Sequence, residues 1–159
     1  MKKVVFLDLE DTVIDEFSRA GFTRLVNVGP VRQFIATEQP AAVRLFSFAF
    51  WSEHCVGQFR RFFEAPLNQA LHLTLDMADT FTTEKLFQLC RRKGLVFESD
   101  NECMLFHGKD YGFQHFIEMS PGFDDTEVVL VDDAVSSKTI QYPGRNLTIR
   151  MVNVNDLLN

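Results

Sequence analysis

The chain has 159 residues, 46% hydrophobic and 24% charged, which fits one folded domain spanning 1–159 and argues against intrinsic disorder. Its formal net charge is −6; nucleic-acid binding runs mainly on Lys and Arg neutralising phosphates, so a nucleic acid is not an expected partner. Cys55, Cys90 and Cys103 do not suggest a secreted disulfide framework, and the apolar run Val4 to Leu7 meets Asp8 too soon for a signal peptide or membrane span. The expected setting is therefore the cytoplasm, away from membranes.

In chain order, Val4-Val5-Phe6-Leu7 is a continuous apolar run ending in acid, as expected of a central strand buried on both faces. Val13 to Val28 is mixed, contains Gly21 and leaves room for a small hairpin. Gly29-Pro30 starts a helix that runs to about Glu38 and stops before Pro40. Ala42 to Phe50 reads as a second strand ending near Ser47. Ser52 caps the next helix, whose stripe is Val56, Phe59, Arg60 and Phe63. Leu71 to Leu75 suggests a third strand. Thr82 or Thr83 opens a helix with Leu86, Leu89 and Cys90 inward, ended by Gly94. Asp110 to about Met119 is helical and ends at Pro121-Gly122. Glu127 to Val131 is another continuous apolar run, closed by Asp132-Asp133. Leu147 to Val152 alternates and suits an edge strand.

Strands alternating with helices predict an α/β fold: a three-layer, Rossmann-like sandwich with a mostly parallel central sheet. Ligands of such sheets bind at the carboxyl ends of the strands. Asp8, Ser47 and Asp132-Asp133 are all expected there.

The 17 phenylalanines, against 2 Tyr and 1 Trp, are the unusual feature of the composition. They suit a ring-filled core. A Phe-rich surface supporting a homodimer or another partner is the alternative.

The acidic strand ends define the expected chemistry. Carboxylates converging from two strands suit Mg²⁺, which takes oxygen ligands and shares them with waters and phosphate oxygens. A lysine and a hydroxyl suit a phosphoryl group. A carboxylate can itself attack phosphorus, while a second acid moves the protons.

The order of these pieces resembles the haloacid dehalogenase-like (HAD) superfamily. Its first motif, Asp-x-Asp-x-Thr after an apolar strand, is similar to Asp8-Leu9-Glu10-Asp11-Thr12. The strand-ending Ser of its second motif matches Ser47, the helix-opening Lys of its third matches Lys109, and its acidic pair matches Asp132-Asp133. A receiver domain has similar residue types, but its acidic pair comes early and its Lys last.

The resemblance covers nearly the whole chain and implies a Mg²⁺-dependent phosphatase acting on a phosphorylated substrate. In that scheme Asp8 is the nucleophile and a metal ligand, and Asp132 is another ligand. Residue 10 contributes its backbone carbonyl to the metal, and the Glu10 carboxyl handles protons. Asp133 lies just outside, Ser47 and Lys109 hold the phosphoryl oxygens, and Thr12 orients the loop. Short intervals between motifs imply no full cap domain and an open site suited to a large substrate.

One position departs from the pattern. Glu10 stands where the family's phosphatases have Asp, which moves the carboxylate by about one C–C bond, about 1.5 Å. A shift of about 1 Å can cost about 10²-fold in rate. A weak or inactive HAD-like module that binds a partner is therefore the second reading.

Other motifs carry less. Cys103 stands where a Walker loop ending in Gly108-Lys109 needs its first Gly. Cys103 with His107, and His54 with Cys55, have no second ligand pair at zinc spacing, so both pairs read as structural. No Gly-x-Ser-x-Gly elbow is present. Asp124-Asp125 reads as a turn, and Asp76 and Asp79 as a surface loop.

Overall fold

A computed structural model describes residues 1–16 and 24–158. Its elements are β1 (Lys2–Leu7), α1 (Val28–Glu38), β2 (Ala42–Leu45), α2 (Glu53–Phe62), α3 (Glu64–Leu71), α4 (Thr83–Arg92), α5 (Asp100–Met119), β3 (Thr126–Asp132), β4 (Lys138–Tyr142) and β5 (Leu147–Asn153). The five strands form one open sheet in the order β2-β1-β3-β5-β4. All neighbours are parallel except β4, which runs antiparallel to β5.

The central strands follow from their residues. In β1 and β3 alternate side chains enter opposite cores. Val5, Leu7, Val129 and Val131 join the core that includes Val31, Val56, Phe59 and Leu67. Val4, Phe6, Val128 and Leu130 join the core that includes Leu86, Phe113 and Ile117. Helices α1, α2 and α3 therefore cover one face, and α4 and α5 the other. A strand buried on both faces has no solvent side to encode, which is why these read as unbroken apolar runs.

Several expectations need correction. Leu71 to Leu75 is not a strand. Leu71 ends α3, and His72 takes a left-handed conformation that closes it. The following loop lies beside the sheet edge, where Asp76 N–H donates to the Val43 carbonyl at 2.8 Å. β5 is not an edge strand; β4 takes that place. The helix expected from Asp110 begins earlier, at Asp100, and is interrupted at Gly108 (φ 67°, ψ −173°). Only glycine adopts that conformation without strain, so Gly108 separates two helical segments and Lys109 opens the second. Of the expected hairpin, the base is paired: Val26 N–H donates to Val13 O, and Asp15 N–H to Arg24 O. Gly21 lies outside the described residues.

The phenylalanines mainly fill the core. Phe46 packs against Phe81 with ring centroids 4.1 Å apart, and both contact Phe116. Phe62 and Phe106 are the exposed phenylalanines among the described residues. Phe81→Ala should therefore cost about 3–5 kcal/mol, whereas Phe62→Ala should stay within about 0.5 kcal/mol of wild type. Urea denaturation of the two variants checks this; equal losses would contradict the core assignment.

Among the described residues, no helix is long and apolar enough to cross a membrane.

Candidate functional site

The chain runs from β1 to its neighbour β2, then returns to β3 on the other side of β1. Loops leaving β1 and β3 thus diverge from adjacent strand ends, the place where open α/β sheets form ligand crevices. Leu7 pairs with Val131, and Asp8 N–H donates to Val131 O at 3.0 Å. This register sets Asp8 beside Asp132. On the other side Phe46 N–H donates to Leu7 O at 2.9 Å, so Ser47 follows at the same end of the sheet.

The turn after Asp8 is tight. The Leu9 carbonyl accepts from the N–H groups of Thr12, Val13 and Ile14, and Asp11 adopts φ 59°. This folds Thr12 back, and its hydroxyl donates to Asp8 Oδ2 at 3.2 Å. Asn27 secures the turn by donating from Nδ2 to the Thr12 carbonyl.

Lys109 enters from the helical face. Its Nζ donates to Asp8 Oδ1 at 2.8 Å and lies 3.2 Å from Asp132 Oδ2. The second contact is an ion pair, and buried Asp132 Oδ2 has no hydrogen bond of good geometry among the described residues. Asp132 Oδ1 accepts from Ala134 N–H at 2.7 Å. The carboxylates of Asp8, Asp132 and Asp133 offer oxygens all within 4.8 Å of one another.

Burial dominates the electrostatics. It raises the Asp8 pKa against the opposing Lys109 charge. It also pushes Asp132 up to about 7, helped by the neighbouring Asp8 charge. Burial works against the Lys109 charge too, but Asp8 and Asp132 more than offset it, so its pKa is raised. Three carboxyl groups face one ammonium in a site with little solvent, so acid groups outnumber the cation. An under-satisfied buried oxygen in an all-oxygen donor set fits a hard divalent cation.

Asp8, Thr12, Lys109, Asp132 and Asp133 are thus brought together. Ser47 is buried at the same sheet end, but its hydroxyl accepts from Ala49 N–H at 3.1 Å. Glu10 is exposed and does not belong to the carboxylate cluster. Its expected metal contact was through the backbone; the proton role was expected of the side chain.

Comparison with protein-family models, curated proteins and solved structures returned no match.

Three supporting residues were not legible as site residues. Phe48 places its ring centroid 4.6 Å from Lys109 Nζ, a cation–π contact that steadies the ammonium. Gly112 leaves room for that ring, since a Cβ there would lie 3.1 Å from Phe48 Cζ. Asn153, at the end of β5, donates from Nδ2 to the carbonyls of Asp133 and Val135 and braces the acidic loop. Only Gly112 offered a sequence clue, a glycine inside a predicted helix.

Elsewhere, burial raises the Cys90 thiol pKa and pushes Cys103 up to about 12. Neither is a ready nucleophile.

Proposed function

We propose that this chain is a HAD-like, Mg²⁺-dependent phosphomonoester phosphatase working through an aspartyl-phosphate on Asp8. The observation that carries the reading is the Asp8 carboxylate, buried at a strand end and held by Lys109 and Thr12 beside a second acidic strand end. The chain order of Asp8, Ser47, Lys109 and Asp132-Asp133 supports the same reading.

One Asp8 oxygen attacks phosphorus, forming an O–P bond as the bond to the leaving oxygen breaks. Glu10 protonates that oxygen. Glu10, now a carboxylate, takes a proton from water, whose oxygen attacks phosphorus and frees Asp8. Lys109 holds Asp8 in place and offsets negative charge on the phosphoryl group. Asp8, Asp132 and Asp133 would hold Mg²⁺, which supplies positive charge to phosphoryl oxygens.

The interval between Thr12 and Val43 includes the hairpin base and α1, and that between Ser47 and Lys109 includes α2, α3, α4 and the first segment of α5. These helices pack on the sheet, which supports an open, capless site for a large substrate. The Phe-based partner surface receives less support, because most of its rings are in the core.

Glu10→Gln tests the proton role. Its kcat should fall about 10²–10⁴-fold on an alkyl phosphate and much less on an aryl phosphate, whose leaving group needs little protonation. Steady-state kinetics on both substrates checks this; equal losses would remove Glu10 as the acid.

A further inference from the structure

A second ligand cluster lies between α4 and α5, built from residues the phosphatase reading does not use. Cys90 is in the last turn of α4, and Cys103 and His107 lie four residues apart in the first segment of α5. That spacing puts the latter two on one helix face. All three are buried.

Cys90 Sγ stands 3.5 Å from His107 Nε2 and 3.7 Å from Cys103 Sγ, and the three atoms all lie within 4.8 Å of one another. Tetrahedral Zn²⁺ has Zn–S of about 2.3 Å and Zn–N of about 2.0–2.1 Å, which gives edges of about 3.8 Å for S···S and about 3.6 Å for S···N. Two of the edges, 3.5 and 3.7 Å, lie close to those values. A disulfide would need an S–S distance of about 2.05 Å and would give the histidine no part.

We infer that Cys90, Cys103 and His107 form a Zn²⁺ site, with His115 turning to supply the fourth ligand. The His115 ring centroid is 4.5 Å from that of His107. The site joins two helices across the loop between them. That region needs an anchor: Val96, Leu105 and Phe106 are exposed, and the first segment of α5 buries only Cys103, Met104 and His107. Most of its inward face is therefore ligand atoms.

Binding converts two thiols to thiolates and releases two protons, while His107 binds as the neutral imidazole through Nε2. The metal would fix the segment that ends at Gly108, immediately before Lys109. The sequence hid the site because its third ligand comes from a different helix, thirteen residues before Cys103.

Co²⁺ titration of the reduced, full-length chain tests the inference. One equivalent should produce thiolate-to-cobalt charge transfer and intense tetrahedral ligand-field bands, with Zn²⁺ displacing the cobalt. Cys90→Ser and Cys103→Ser should each weaken Zn²⁺ binding by more than about 10²-fold, beyond the range of outer-shell changes. Asp8→Asn should keep the charge-transfer band, which separates this site from the carboxylates. Absence of thiolate charge transfer in wild type would overturn the site even if the variants fail to fold. So would a band unchanged in folded Cys90→Ser and Cys103→Ser.

Discussion

Asp8→Asn should abolish turnover, lowering kcat on an aryl phosphate by at least about 10³-fold, while the protein stays folded. An amide has no anionic oxygen to attack phosphorus, and loss of a nucleophile that acts within a catalytic unit removes most of the unit's rate enhancement. The fold should tolerate the change for an electrostatic reason. Asn keeps the size of Asp, its carbonyl can still accept from Thr12 or Lys109, and Lys109 retains Asp132 as a counter-charge at 3.2 Å. Steady-state kinetics with thermal denaturation checks both halves. Turnover within tenfold of wild type would remove Asp8 as the nucleophile. Loss of activity with loss of the fold would show instead that the carboxylate is structural.

Lys109→Met should do the opposite, damaging stability as well as activity. The side chains of Asp8 and Asp132 are 8% and 0% exposed, and Lys109 is the cation paired with both. Its removal leaves two buried acids with no counter-charge, a change that costs about 3–5 kcal/mol where a buried pair is broken and that protonation of one acid offsets in part. Lower pH should relieve part of the loss. Carboxylates whose folded pKa lies above the unfolded value bind protons more tightly in the fold, so their stability penalty grows as pH rises through that interval. Added Mg²⁺ should raise the Tm of Lys109→Met more than that of wild type, because the cation replaces the missing charge and stabilises by mass action. Thermal denaturation with and without Mg²⁺ checks this. A variant as stable as wild type at neutral pH would contradict the electrostatic description of the site.

The parts of the fold legible in the sequence were those where burial leaves a one-dimensional trace. β1 and β3, covered on both faces, are apolar runs ended by acids, so the two strands and the two acidic strand ends were visible together. β4 was not, because Lys138–Tyr142 is an edge strand with polar residues at three of its five positions: Lys138, Thr139 and Gln141. At Leu71 to Leu75 the alternation Leu-His-Leu-Thr-Leu imitates a strand; tertiary packing instead buries Leu71 at the end of α3 and Leu75 in the following loop. The first segment of α5 does carry a sequence signal at its start. Ser99 and Glu102 have capping-box spacing, and the Ser99 hydroxyl accepts from Glu102 N–H at 3.2 Å.

The same division holds at the site. Asp8, Lys109 and Asp132 could be expected from residue type and order, since each is polar at the end or start of an apolar element. Lys109 meets Asp8 across 101 residues of sequence, so their hydrogen bond had no local pattern. Phe48, Gly112 and Asn153 act through shape and bracing, which residue type alone does not reveal. Cys90 joins Cys103 and His107 only once α4 and α5 are packed together.

The central claim is covalent phosphorylation of Asp8, and the most direct test is acid-quenched mass spectrometry of the chain during reaction with an aryl phosphate and Mg²⁺. The chain should gain one phosphoryl group, located on Asp8, labile to hydroxylamine and absent from Asp8→Asn. A chain that carries no such group, or carries it on another residue, would contradict that claim.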